Sequence, residues 1–209
     1  MTTKMEQRVD AIFLWVKGNK DQLIILSAII LFLIVLIPLT IEYKEKKFDK
    51  RVDEYVKMQG FFYSEEYAKT VEAADTLLAK NPKKDMQKLI LFYKANAFYS
   101  LNDFDKAIDI YQKLIIKYPN DYVSVNFVDS LAYSYEMKGE YQQALETWQN
   151  IINNFSDSYL VPNAYKSIAR NYELLGDISN AKEIYTLISN MFPQTEWSNF
   201  AEKRLLILN

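Results

Sequence analysis

Apolar residues form one uninterrupted run near the start of the chain. Residues 23–41 read LIILSAIILFLIVLIPLTI and contain no charge. A helix rises about 1.5 Å per residue, so this run is close to the roughly 30 Å thickness of a bilayer core. It is longer than the apolar core of a cleaved signal peptide, and no small-x-small cleavage site follows it. The pattern predicts one transmembrane helix at 23–41, in contact with membrane lipid.

A shorter amphipathic pattern precedes this run. Val9, Ile12, Phe13 and Val16 recur at i, i+3, i+4 and i+7 within the segment 1–22. Such a helix suits the headgroup layer of a membrane. Packing of the same face against a partner protein is the alternative.

Beyond the apolar run, one pattern of large and small residues recurs every 37 residues. A small residue stands at Thr70, Ala107, Ala144 and Ala181. Nine residues before it the chain has Phe61, Phe98, Tyr135 and Tyr172, and twelve residues after it Pro82, Pro119, Ser156 and Pro193. The spacing predicts a domain at 42–209 with repeats near 51–87, 88–124, 125–161 and 162–194 and a capping helix at 195–209.

Each repeat has the pattern of a helical hairpin. Residues 91–101 and 103–117 both show helical periodicity, with Asn102 between them, and Gly139 and Gly176 occupy the same turn in later copies. A hairpin that is apolar on both helices is buried only by stacking on its neighbours. We therefore expect an all-α solenoid, in which the alanines mark close approaches between helix backbones.

This pattern resembles the tetratricopeptide repeat, which has small residues in both helices and a closing proline. The best copy carries the resemblance at Ala95, Phe98, Phe104, Ala107, Tyr111, Leu114 and Pro119. The resemblance implies a helical-hairpin array that binds other proteins.

The whole layout also resembles the ancillary subunits of the SecYEG translocon, the YfgM-like family. The likeness lies in "VDAIFLWVKGNKDQLI" before the apolar run and "FDKRVDEYVKM" after it. It implies a single-pass protein of the bacterial inner membrane with a cytoplasmic N-terminus and a periplasmic repeat domain. It also implies translocon subunits, a membrane-anchored chaperone and exported polypeptides as partners.

Charge near the apolar run favours the opposite orientation. Lys4, Arg8, Lys17 and Lys20 precede the run, whereas Lys44, Lys46, Lys47, Lys50, Arg51 and Lys57 follow it. The larger positive count at the C-terminal side favours a cytoplasmic repeat domain, but long domains translocate largely regardless of charge. The sequence alone leaves both orientations open.

Composition excludes several kinds of function. The chain has neither cysteine nor histidine, which removes thiol chemistry and the commonest general base and metal ligand. A net charge of −2 argues against nucleic-acid binding. No Gly-x-Ser-x-Gly motif or glycine-rich phosphate loop is present, so we expect no catalytic, cofactor or metal site, no small-molecule substrate and no enzyme activity.

The first helices of the hairpins supply a candidate peptide-binding groove on the face opposite the alanines. Its predicted residues are Tyr55, Phe62, Tyr63, Phe92, Asn96, Tyr99, Tyr133, Glu136, Lys166 and Arg170. Aromatic side chains not needed for packing suit loose recognition of extended apolar peptides. The alternative is that several of them fill the interior of the array.

Two functions follow from this organisation. The first is a membrane-anchored, chaperone-like adaptor that binds exported polypeptides or a partner chaperone at the translocon. The second is an assembly scaffold of a cell-envelope machine, such as a peptidoglycan or motor complex.

Overall fold

The computed structural model describes residues 4–119 and 121–208, apart from the side chains of Gln7 and Asp49. The described residues form helices joined by short turns. These are α1 (Lys4–Gly18), α2 (Lys20–Tyr63), α3 (Tyr67–Leu78), α4 (Lys84–Ser100), α5 (Phe104–Lys117), α6 (Ser124–Lys138), α7 (Tyr141–Asn154), α8 (Val161–Leu174), α9 (Ile178–Met191) and α10 (Glu196–Leu208). The all-helical fold class predicted from the sequence is confirmed.

The chain divides into two units, Met1–Asp53 and Glu54–Asn209. The first unit contains α1 and the larger part of α2. Its apolar side chains are exposed, including Phe13 and Trp15 on α1 and Ile30 and Phe32 on α2. α2 has 44 residues and is long and apolar enough to cross a membrane. Pro38 lies inside this helix.

In the second unit, each helix from α3 to α10 packs against the next one along the chain. First helices also touch across hairpins, since α4 contacts α6 and α8 contacts α10. The end of α2 belongs to this unit, where Met58 packs in one cluster with Ala74, Leu77 and Ile90. The first hairpin is thus formed by the end of the long helix together with α3.

The 37-residue register is visible in the core. The residues at the four small positions, Thr70, Ala107, Ala144 and Ala181, all have 0% exposure. Twelve residues before them, Met58, Ala95, Ala132 and Ala169 are equally inaccessible. Because Met58 and Thr70 are buried like their counterparts, the first copy packs as the others do, although the other copies have alanine at both positions.

The turn inside each hairpin uses a left-handed residue at one repeated position. Glu65, Asn102, Gly139 and Gly176 are 37 residues apart, with φ angles of 61°, 60°, 85° and 78°. Glycine adopts this conformation freely, whereas a residue with a Cβ meets a steric penalty. An acidic residue follows each of them, and the Asp103 and Asp177 side chains accept a backbone N–H of the second helix.

A buried ion pair holds one connection between hairpins. Lys88 on α4 is 6% exposed and its ammonium group pairs with the Asp121 carboxylate after α5. That carboxylate also accepts the Val123 backbone N–H at 3.2 Å, and the pair raises the pKa of Lys88 and lowers that of Asp121. The contact fixes the connection against α4.

Candidate functional site

The predicted groove residues lie on the end of α2 and on α4, α6 and α8. We call these ten residues the first-helix surface. The 37-residue period arranges nine of them in three rows along the array, and Tyr63 directly follows Phe62 in the chain. One row contains Tyr55, Phe92 and Lys166, another Asn96, Tyr133 and Arg170, and a third Phe62, Tyr99 and Glu136. Two of the rows change from aromatic to charged residues, and the row that begins with Asn96 also ends on a charged residue.

Aromatic rings cluster at the N-terminal end of this surface. The Phe62 ring lies 5.2 Å from that of Tyr93 and 5.8 Å from that of Tyr63, both edge-on. Gln59 donates its side-chain amide to the Tyr55 and Tyr93 hydroxyls, at 3.2 Å and 2.9 Å. Tyr63 is still 72% exposed. Tyr93, which the sequence pattern did not single out, therefore joins three of the predicted residues.

A small cavity of about 130 Å³ lies between the second and third hairpins. It is lined by Asn96 and Tyr99 from α4, Tyr111 from α5, and Ser130 and Tyr133 from α6. Three of these five residues were predicted from the sequence, and the structure brings them together. All five side chains are uncharged and carry a hydrogen-bonding group.

In three successive hairpins, a large side chain of the second helix donates a hydrogen bond to a polar side chain of the first helix. Tyr111 donates its hydroxyl to the Asn96 side-chain oxygen at 2.5 Å, and Trp148 donates its indole N–H to Asp129 at 3.2 Å. Tyr185 donates its hydroxyl to Glu173 at 2.6 Å. The three donors are at most 1% exposed. Their sequence pattern indicated core residues only, so this second role was missed.

Carboxylates at the C-terminal end are paired rather than free. The Glu136 side chain is 9% exposed and its carboxylate accepts from the Arg170 guanidinium. Its other oxygen accepts the Asn171 side-chain amide at 2.5 Å. Glu173 is held in the same way by Arg204 of α10. The two predicted residues Glu136 and Arg170 thus satisfy one another across the hairpin boundary.

Two more predicted residues are engaged in packing. The Phe92 ring lies 5.1 Å from Phe127 and 6.1 Å from Tyr111, as expected for a residue that lines the interior. The Lys166 ammonium lies 5.3 Å from the ring centre of Trp197 on α10. Cation–π contacts of this kind stabilise the capping helix against the last hairpin.

The Asp129 carboxylate lies beside these residues on α6. Burial raises its pKa, against the opposing effects of hydrogen bonds from Trp148 and Asn163 and the charge of Lys166. Asn163 also donates to the Tyr133 hydroxyl at 3.0 Å. Polar contacts therefore link α6 and α8 along this surface.

Two stretches of the chain, residues 90–121 and 130–158, match the model of the tetratricopeptide repeat family. They correspond to the second hairpin, formed by α4 and α5, and the third, formed by α6 and α7. The fold is a solenoid of tetratricopeptide-like repeats. Comparison with curated protein sequences finds no significant match.

Solved structures with the same fold share little sequence with this chain. TPR-like repeats of a kinesin light chain from Podosopora anserina superpose with a TM-score of 0.61 at 13% identity, covering 76% of this chain and 84% of that one. A MamA RS-1 double mutant gives a TM-score of 0.61 at 15% identity, covering 77% and 84%. A MamA AMB-1 structure gives 0.53 at 11% identity, covering 75% and 82%. These likenesses concern the fold alone.

Proposed function

We propose that this chain is a membrane-anchored protein-interaction module that binds extended polypeptide on its first-helix surface. The observation that carries the proposal is the cavity between α4 and α6, which is lined by the half-buried Tyr99 and Tyr133 and the buried Tyr111. Tyrosine offers a large apolar contact area with a polar end at low entropic cost, which suits adaptable recognition.

The anchor in this proposal is the apolar part of α2. Tethering would keep the repeat domain at the membrane and raise its effective concentration beside chains that emerge there. The exposed apolar side chains of α1 and α2 support a membrane location, since a soluble monomer rarely exposes so much contiguous apolar surface.

We further propose that the module serves protein export at the secretion translocon, as a chaperone-like adaptor in the bacterial inner membrane. The support is the resemblance of the layout to ancillary translocon subunits. Partners would be translocon subunits, a membrane-anchored chaperone and exported polypeptides, with the repeat domain in the periplasm. A cysteine placed at the exposed residue Asn190 tests the orientation. Labelling of intact spheroplasts by a membrane-impermeant reagent supports the periplasm, and labelling only after lysis contradicts it.

The second candidate is an assembly scaffold that holds one folded partner. The observation in its favour is two ion pairs, Glu136 with Arg170 and Glu173 with Arg204. They restrain the side chains at the C-terminal end of the first-helix surface, as a site for one folded partner requires. Purification of tagged protein in mild detergent, followed by mass spectrometry, separates the two. Translocon subunits with a chaperone support the adaptor, whereas a stoichiometric set of cell-wall or motor proteins supports the scaffold.

Direct binding tests the polypeptide proposal itself. The full-length protein in lipid nanodiscs is titrated with a fluorescent, permanently unfolded polypeptide. Replacing Tyr99 and Tyr133 by alanine should weaken binding several-fold, while alanine at the exposed second-helix residues Gln142 and Gln149 should not. Circular dichroism must show unchanged helix content. Absence of binding by the unaltered protein overturns the proposal.

A further inference from the structure

The cavity between α4 and α6 has a chemistry that selects its occupant. With a volume of about 130 Å³, it has room for roughly four water molecules or one side chain of medium size. Its lining contains two residues of one hairpin's first helix, two of the next and the buried Tyr111. A peptide lying across the first helices could place one side chain there, whereas its backbone would remain outside.

The lining offers several hydrogen-bond donors as well as hydroxyl oxygens that can accept. The Asn96 side-chain oxygen is occupied by Tyr111, which leaves the Asn96 amide hydrogens to donate. The Tyr133 oxygen accepts from Asn163, so its own hydrogen is available. The Tyr99 hydroxyl makes no hydrogen bond within the described part of the chain. Three groups that line the cavity therefore have hydrogens available to donate to an occupant.

The surroundings disfavour a negatively charged acceptor. The cavity lining contains no cationic side chain. Burial raises the pKa of Tyr99, and the nearby Glu136 carboxylate raises it further, although Arg170 opposes this. A carboxylate entering here would lose its hydration, and the nearby Arg170 charge is already paired with Glu136, so entry is costly. A carboxamide carries a strong carbonyl acceptor and no charge.

We infer that this cavity is a specificity pocket for the side-chain carboxamide of an Asn or Gln residue in an extended polypeptide. The inference rests on the proposed function, because it concerns the same surface. The Tyr99 hydroxyl and the Asn96 amide hold the carboxamide oxygen, and the Tyr99 and Tyr133 rings cover its apolar stem. The module thus prefers polar, amide-bearing segments over purely apolar ones.

Matched peptides test the inference on the full-length protein in nanodiscs. A short fluorescent peptide of Ser and Val residues carries Gln at its centre, and two others carry Glu or Leu there. We expect the Gln peptide to bind about tenfold more tightly than either of the other two. This ratio of dissociation constants is what one to two additional hydrogen bonds to an uncharged group provide. Equal binding of the Leu peptide overturns the inference.

Two conservative variants locate the effect. Tyr99→Phe removes only a hydroxyl that has no partner in the chain, and we expect it to reduce the Gln preference to below about threefold. Tyr122→Phe makes the same change at a residue that is 89% exposed outside the cavity and should leave the preference unchanged. A Tyr99→Phe protein with full Gln preference contradicts the inference.

The unfolded polypeptide described above serves as the parallel control. If that polypeptide binds but the peptides show no Gln preference, the carboxamide pocket is wrong and the proposed function stands. If neither the polypeptide nor the peptides bind, both fall.

Discussion

The hydroxyl of Tyr111 donates a 2.5 Å hydrogen bond to the side-chain oxygen of Asn96, joining the buried interior of a hairpin to its first-helix surface. Tyr111 is 1% exposed, whereas Asn96 lines the cavity. A core side chain therefore fixes the orientation of a group that lines the cavity. Trp148 and Tyr185 do the same for carboxylates in the next two hairpins.

Replacing Tyr111 by phenylalanine should destabilise the repeat domain by about 1 kcal/mol, because it removes one hydrogen bond and keeps the packed ring. Tyr111→Ala should cost about 3–5 kcal/mol, since it also leaves a cavity. Urea unfolding followed by circular dichroism measures both. Equal losses for the two variants would show that the hydroxyl rather than the ring provides the stability.

Glu136 and Arg170 should be energetically coupled. Arg170→Met leaves a nearly buried carboxylate with only the Asn171 amide, so we expect a loss of about 2 kcal/mol. The double variant with Glu136→Gln and Arg170→Met should lose much less stability than the sum of the losses of the two single variants. A double-mutant cycle in urea measures the coupling, and additive effects would show that the pair contributes nothing.

Substitutions at the left-handed turn position should change stability in opposite directions in the third and first hairpins. Gly139→Ala should destabilise by about 1 kcal/mol, because its φ of 85° is unfavourable for alanine although the added Cβ meets no atom within 4 Å. Glu65→Gly should leave stability unchanged or raise it, since it relieves the same penalty in the first hairpin. Thermal unfolding of the two variants checks this, and stabilisation by Gly139→Ala would contradict it.

Asp129 should make stability depend on pH in an unusual direction. Its folded pKa is raised mainly by burial, so the native state binds its proton more tightly than the unfolded state does. Its contribution to stability is therefore lost as the pH rises from the ordinary carboxyl range through the raised pKa. Asp129→Asn keeps an oxygen for the Trp148 N–H and should be no less stable than the parent at pH 7.

The pH profile supplies the check on this residue. We expect the difference in unfolding free energy between the parent and Asp129→Asn proteins to grow in favour of the variant as pH rises from about 4 to 7. A difference that moves the other way would mean that the Asp129 charge stabilises the fold.

The sequence predicted the solenoid because its packing positions repeat by residue type. Ala107, Ala144 and Ala181 are small for one steric reason, and the spacing alone reveals it. The polar contacts of the first-helix surface do not repeat in this way. Phe92, Asp129 and Lys166 occupy the same position in successive hairpins yet contact a core ring, an indole and a capping aromatic residue.

The limit of sequence reasoning is therefore the pairing of side chains across helices. Glu136 and Arg170 were both predicted as groove residues, but their spacing of 34 residues does not reveal that they bind each other. Likewise Tyr93 and Ser130 follow no pattern that separates them from core residues. Three-dimensional positions were needed to find the cavity and its donors.

Photo-crosslinking in living cells tests most directly whether the first-helix surface binds polypeptide. Benzoylphenylalanine is introduced into the full-length protein at position 99, beside the cavity, or at position 149, where Gln149 is exposed on the second helix of the third hairpin. We expect crosslinks to other polypeptides from position 99 and few from position 149. Equal crosslinking from both positions, or none from position 99 with a folded protein, would contradict it.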